Sequence, residues 1–299
     1  MKTDLAHLPH GKQRELAHVV RVLFDEFALS TARATQPWKK AGRILKVILY
    51  GSYARGGWVD DPIGGYQSDY DILVVVNDER LTDVVDYWSA ADDRLMRDMT
   101  IDGVLSAPVN FIVHSYKDVN GQLEQGRPFF VDIAEQGIAL YEAEGFGLAM
   151  PRKLPPEEAR AEAQKHFDTW FPKVSSAVRG AARYLEDGEN NDAAFTLHQA
   201  AERAYHCTLL VLTLYSPKSH RLNFLRGHAE DIAPELIAAW PRDDKFSRRC
   251  FELLRLAYVN ARYSPHYKIT NEELDWLGDR VATLQALVKT VCEKRLAED

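Results

Sequence analysis

Apolar residues at Leu16, Val19, Val20, Leu23 and Phe27 recur at helical spacing and predict a helix over 12–29. The run ILKVILY at 44–50 is short, rich in β-branched residues and stops at Gly51-Ser52, so it predicts a strand. Residues 56–67 contain Pro62 and Gly64-Gly65 and read as loop. The run YDILVVV at 70–76 is nearly unbroken in apolar residues, which predicts a second strand in the interior of its sheet. Helical period returns at Leu81, Val84, Val85, Trp88, Leu95 and Met99, predicting a helix over 80–99. PVNFIVHS at 108–115 predicts a third strand, and GIALYE at 137–142 a late strand or helix end.

The pattern then changes. GFGLAMPRKLPP at 145–156 is a Gly/Pro-rich linker, and Pro155-Pro156 followed by Glu157-Glu158 is a helix start. Beyond it strand signals almost vanish, and helices are expected near 157–186, 192–214, 219–230, 243–261 and 271–296. Pro172 should kink or break the first of them. Two domains are expected, a small α+β domain over 1–148 and an all-α helical bundle over 149–299.

Composition adds exclusions. At 299 residues, 46% apolar and 27% charged, the chain has the make-up of soluble globular protein. No apolar run has the length of a membrane span, and Met1–Arg14 is polar, so neither a membrane anchor nor a signal peptide is expected and the cytoplasm is the expected location. Cys207, Cys250 and Cys292 are widely spaced without a CxxC, which argues against a disulfide scaffold and a zinc site. Residues 1–150 carry 15 Lys+Arg against 22 Asp+Glu, whereas 151–299 carry 22 of each. Neither half has the charge of a generic nucleic-acid binder, and the acidic half suits a cation site.

The chemistry concentrates at LYGSYARGGWVDDPIGGYQSDYDILVVV, residues 49–76. Asp69 and Asp71 are two apart and share a strand face, where like charges are unfavourable unless a cation lies between them. Paired carboxylates are hard ligands suited to Mg²⁺, and a Gly-Ser turn after a strand can present backbone N–H groups to phosphate. The compound pattern, Gly-Ser, Arg-Gly, then Asp-x-Asp on a strand, resembles the signature of the DNA-polymerase-β-like nucleotidyltransferases in their minimal, bacterial branch. The resemblance covers roughly 40–115. It implies that Gly51 and Ser52 hold a nucleoside triphosphate, that Asp69 and Asp71 ligate Mg²⁺, and that Arg55 and Ser68 flank them. Sixteen residues separate Ser52 from Asp69, so loop 56–67 is an insertion relative to most members. The family's third carboxylate falls at Asn110, whose carbonyl can ligate a metal but whose amide cannot take a proton. Asp102, His114, Asp60 and Asp61 are candidate substitutes.

In the helical half, His198, Glu202 and His206 recur every four residues. Such a stripe reads as a polar seam within a bundle or dimer interface; the other reading is a metal or substrate site. NARYSPHYKIT at 260–270 brings Arg262, His266 and Tyr267 together, the pairing of a phosphate-binding cation with an acid–base group. The alternative is a helix end whose cations complement its dipole. LHQAAERAYH, YSPKSHRLNFL and the late Arg/His resemble the HEPN family over about 157–296. Ribonuclease members of that family show Arg, four to six residues, then His; here three residues intervene between Arg262 and His266.

The expectation is therefore an α+β nucleotidyltransferase domain followed by a HEPN bundle. Its activity would be transfer of AMP from ATP, with Mg²⁺, to a hydroxyl on a small molecule or a protein, Tyr267 being one such hydroxyl. The alternatives are a HEPN ribonuclease of toxin–antitoxin type regulated by the transferase half, and a nucleotide- or RNA-binding module without turnover. RNA is a further expected partner in these readings, and a homodimer is expected through the late helices.

Overall fold

The structure, a computed structural model, describes residues 1–61 and 66–297, without the side chains of Asp61 and Tyr66. It divides into two compact units, Met1–Leu154 and Pro155–Asp299. Pro62, Gly64 and Gly65, read as loop, lie outside the described residues.

The first unit opens with α1 (His10–Thr31) and a single turn, α2 (Pro37–Lys40). It continues with β1 (Ile44–Tyr50), the short helix α3 (Gly51–Arg55), the two-residue strands β2 (Asp60–Asp61) and β3 (Tyr66–Gln67), and β4 (Tyr70–Val76). Helices α4 (Val84–Tyr87) and α5 (Ser89–Thr100) lead to β5 (Val109–Ser115), then α6 (Tyr116–Glu124), α7 (Pro128–Gln136) and β6 (Ile138–Glu142). The sheet order is β5-β4-β1-β6, parallel between β4 and β5 and antiparallel elsewhere. β4 is interior, and its seven residues are all buried.

Alternation along the strands divides the sheet into two faces. One carries Val47, Leu49, Tyr70, Ile72, Val74 and Val76 into a core shared with Leu16, Val19, Leu23 and Phe27 of α1 and Ala91 and Leu95 of α5. The other carries Ile48, Leu73, Val75 and Ile112, and α6 and α7 lie against β5, β4 and β1, bringing in buried Val119, Leu123, Phe130 and Ile133. Asp71 and Asn110 belong to this second face by register.

Three expectations change and a fourth is narrowed. Residues 56–67 are not all loop, because Asp60 and Asp61 pair with Gln67 and Tyr66. The expected helix over 80–99 is a 3₁₀ turn, Glu79–Thr82, followed by α4 and α5. There Asp83 caps α4 through the Asp86 amide, and the buried Trp88 indole donates to the Leu81 carbonyl, turning the chain back on itself. Helices α6 and α7 arise where none was expected. Within 137–142, Ile138–Glu142 form a strand, the first of the two alternatives expected there and the edge partner of β1.

The second unit contains α8 (Pro156–Glu186), α9 (Asn190–Thr213), α10 (Leu222–Ile232), a 3₁₀ segment over Pro234–Ala239, α11 (Lys245–Tyr263) and α12 (Asn271–Ala297). α9 is the central helix, packed by α8, α10, α11 and α12. Small residues Ala193, Ala194, Ala200, Ala201 and Ala204 let its neighbours approach closely. α8 runs through Pro172 as one helix rather than ending there, its length held against α9 and α12 by Val174, Ala177 and Ala181.

Candidate functional sites

In the first unit the site grows from the end of β1. Tyr50 is the register partner of Asp71 across the antiparallel β1–β4 pair. The next residue, Gly51, turns into α3 with φ at +72°, a region that L side chains rarely adopt. A Cβ at Gly51 would strike the Asp71 carboxylate, with Cγ only 3.2 Å away. Glycine is therefore required twice, by backbone conformation and by the carboxylate pressed against it. Tyr53 anchors α3 to the sheet, its ring tilted against Tyr70 with centres 4.4 Å apart and stacked on Trp58 at 5.3 Å. Ser52 is buried beside it.

On the other side of Asp71, the parallel β4–β5 register places Asn110 directly opposite. Asp71 and Asn110 are each 5% exposed, while Asp69, one residue before β4, is half-buried. The Asn110 amide Nδ2 donates to Asp69 Oδ2 at 2.5 Å. Gly51, Asp71, Asn110 and Asp69 thus form one contiguous cluster in which the amide occupies the expected third-carboxylate place.

The remaining candidates spread around this cluster. Arg55, at the end of α3, places Nη1 3.6 Å from Asp132 Oδ2 of α7. Burial raises the pKa of Asp132, with Glu135 adding to the rise and Arg55 opposing it. Ser68 accepts the Val59 amide on its hydroxyl and returns its own amide to the Val59 carbonyl, tying together the two ends of the segment between α3 and β4. His114 lies four residues along β5 from Asn110, with Nδ1 2.6 Å from Asp118 Oδ2 and its ring edge-on to Phe130. At strand rise this is about 13 Å away, too far to stand in for Asn110. Asp102 is in the exposed turn after α5, bonded through its amide to Arg97. Asp60 faces Lys12 at 4.0 Å. The side chain of Asp61 lies outside the described residues.

Among the described residues, no group of three or more His, Cys, Asp or Glu is placed to hold a metal. The donor set at β4 and β5 is two carboxylates and an amide carbonyl, all oxygen. That chemistry fits a hard cation which keeps waters and substrate phosphates in its shell.

In the second unit the His198/Glu202/His206 stripe lies inside the bundle. His198 is fully buried; its Nδ1 donates to the Leu254 carbonyl at 2.9 Å. Its Nε2 stands 3.4 Å from Glu202 Oε2, close enough for attraction but outside hydrogen-bond geometry. His206 joins Ser216 through Nδ1 at 2.6 Å, and its Nε2 is 3.9 Å from Glu202 Oε1. A third imidazole, His220 from the loop before α10, donates from Nδ1 to Glu202 Oε1 at 3.1 Å. Burial pushes the Glu202 carboxyl up, but the nearby His198 imidazole and the hydrogen bond from His220 outweigh it and hold the group below its ordinary value. Burial pushes His206 down, against the pull of Glu202.

Arg262 is exposed at the end of α11. Its Nε, with Nη2, donates to the Tyr258 carbonyl, and its guanidinium lies 4.7–5.0 Å from the ring centres of Phe195, Tyr258 and Tyr263. His266 follows in the turn after α11, exposed, with its amide bonded to Ser264 Oγ. Tyr267, expected as an acceptor hydroxyl, is instead buried, and its OH donates to the Leu253 carbonyl at 3.0 Å. His220 and Tyr258 escape a sequence reading altogether: His220 is eighteen residues from Glu202, with no helical spacing to connect them.

No curated protein matches the chain. A family model described as the HEPN domain matches residues 168–290, from within α8 to within α12, so the helical half is similar to that domain.

Proposed function

We propose that the chain is a Mg²⁺-dependent nucleotidyltransferase that moves a nucleoside monophosphate, AMP from ATP, to a hydroxyl acceptor. One observation carries the reading: Gly51, Asp71, Asn110 and Asp69 are adjacent where β1 ends and β4 and β5 begin. A buried carboxylate pressed against a glycine turn, beside a second carboxylate, is an unfavourable arrangement for a merely structural strand end. Asp69 and Asp71 would hold the metal, with the Asn110 carbonyl beside them. The metal, when bound, supplies neutralisation of phosphate charge. Gly51, lacking a side chain, leaves its backbone open to close approach by a triphosphate, and Ser52 and Arg55 add a hydroxyl and a guanidinium. In the transfer, the acceptor oxygen bonds to the α-phosphorus, the bond to the bridging oxygen breaks, and pyrophosphate leaves. Asn110 takes no proton, so the acceptor proton passes to another base or to solvent.

The test is incorporation of α-labelled ATP into small hydroxyl compounds and into protein by the full chain. Label is expected with Mg²⁺, with EDTA and Asp69→Ala/Asp71→Ala each abolishing it. Unchanged labelling in the double variant refutes the reading.

A second reading is favoured by the HEPN match and by the exposed Arg262 on its aromatic platform: metal-independent cleavage of RNA by the helical half. Guanidinium and aromatic faces together suit a single-stranded polynucleotide. RNA cleavage persisting in EDTA, and lost in Arg262→Ala, supports it. The homodimer remains part of both proposals and is checked by light scattering of the full chain.

A further inference from the structure

We propose that His220, not His266, is the proton-accepting catalytic residue of the helical half, working with Arg262 across Tyr258 and held in place by Glu202. This assignment rests on the ribonuclease reading. An ionised carboxylate only accepts hydrogen bonds, so the Nδ1 of His220 that faces Glu202 Oε1 at 3.1 Å carries the proton. Nε2 then presents a lone pair on a side chain that is 60% exposed. The carboxylate behind it is buried, with 8% of its side chain exposed, and is shared with His198, His206 and Gln199 Nε2. A buried carboxylate fixing one nitrogen of a surface imidazole is the arrangement that orients a general base.

The platform ties this base to the cation. The His220 ring stacks on Tyr258 with centres 4.7 Å apart and planes at 13°, and the Arg262 guanidinium lies 4.8 Å from the centre of the same ring. Arg262 uses one N–H on Nε and one on Nη2 for the Tyr258 carbonyl, leaving the others for a phosphate. His266 lacks this support: among the described residues its ring has no hydrogen-bond or ion-pair partner, and Arg262 is turned toward Tyr258. The three-residue spacing between Arg262 and His266 then ceases to matter, because the base comes from another segment.

In the step, His220 Nε2 accepts the proton of a ribose 2′-hydroxyl and O2′ forms a bond to the adjacent phosphorus. The P–O5′ bond breaks, O5′ takes a proton from water, and the imidazolium returns its own to solvent. The products are a 2′,3′-cyclic phosphate and a 5′-hydroxyl, with no metal or redox partner consumed. Glu202 acts through His220 and is a positioning residue.

The experiment uses the full chain, a 5′-labelled single-stranded RNA and EDTA. His220→Ala is expected to lose at least about a hundredfold in cleavage, the scale of general-base catalysis, while His266→Ala stays within about threefold of wild type. Glu202→Gln, with its folded fraction fixed by thermal melt, is expected to lower kcat per folded enzyme and to shift the pH dependence of kcat, a shift that loss of folded enzyme does not give. Loss in His266→Ala with His220→Ala active overturns the assignment and leaves the ribonuclease reading standing. Equal losses in both also overturn it, since the assignment gives His266 no part. RNA left whole by the wild-type chain removes the ribonuclease reading and this assignment together.

Discussion

At the scale of single residues, Gly51 and Asn110 decide what the β-strand ends can do. Substituting Gly51→Ala forces an L residue to φ near +72°, at about 1–2 kcal/mol, and drives a methyl into the Asp71 carboxylate. The carboxylate must move, and a displacement near 1 Å at a reacting centre can cost about a hundredfold in rate. The expected result is a loss of that order in AMP transfer with a modest drop in urea midpoint; full activity would show that the contact is idle. Asn110→Asp adds a third carboxylate next to Asp69, which the native amide now satisfies by donation. In EDTA the variant should melt lower by about 3 °C or more, and excess Mg²⁺ should restore or exceed the wild-type value. Equal melting curves with and without Mg²⁺ would remove the cation from this cluster. Both residues stand out in the sequence, one in Gly-Ser and one at the third-carboxylate place. Their juxtaposition does not, because it depends on two registers, Tyr50 to Asp71 and Asp71 to Asn110, that join segments far apart in the chain.

At the scale of elements, legibility follows length and locality. β1 and β4 are readable to the residue because each is a seven-residue apolar run ended by polar or Gly punctuation. Helices α6 and α7 are nine residues each, too short for apolar period to separate from noise. Their only local signals are capping ones: the Ser115 hydroxyl accepting the Asp118 amide, and Pro128 in the first turn. The break between α4 and α5 is set by the tertiary bond from Trp88 to Leu81, which a periodic pattern cannot contain. Pro172 is read locally as a kink or a break, and packing along α9 carries α8 past it without a break. Its ring still removes the N–H that would reach the Asp168 carbonyl. Pro172→Ala should therefore stabilise the helical half by about 1–3 kcal/mol, read from urea denaturation of the full chain. Destabilisation instead would mean that α8 is bent there to fit its neighbours.

For the molecule as a whole, the two units differ in how they meet acid. The first carries the net negative charge, while the helical half is balanced overall and hides its titratable groups around Glu202. His206 is held below its ordinary value of 6.5 by burial, so the unfolded chain takes up that proton first. Stability of the helical half then falls as pH drops from about 6.5 toward the lower folded value, and levels below it. Glu202 is held below its ordinary 4.5, so the stability it contributes is present above that pH and is lost as pH falls through its folded value. Two separate declines are expected. Glu202→Gln should abolish the lower one. It should also extend the upper one, because the carboxylate is what draws the His206 value upward against burial. Hydrogen exchange of the α9 amides in the full chain, corrected for intrinsic rate from about pH 7.5 to about pH 2.5, reads both. Protection that stays flat across that range would show that His206 and Glu202 are not coupled to folding, whereas a single decline persisting in Glu202→Gln would place the coupling on His206 alone.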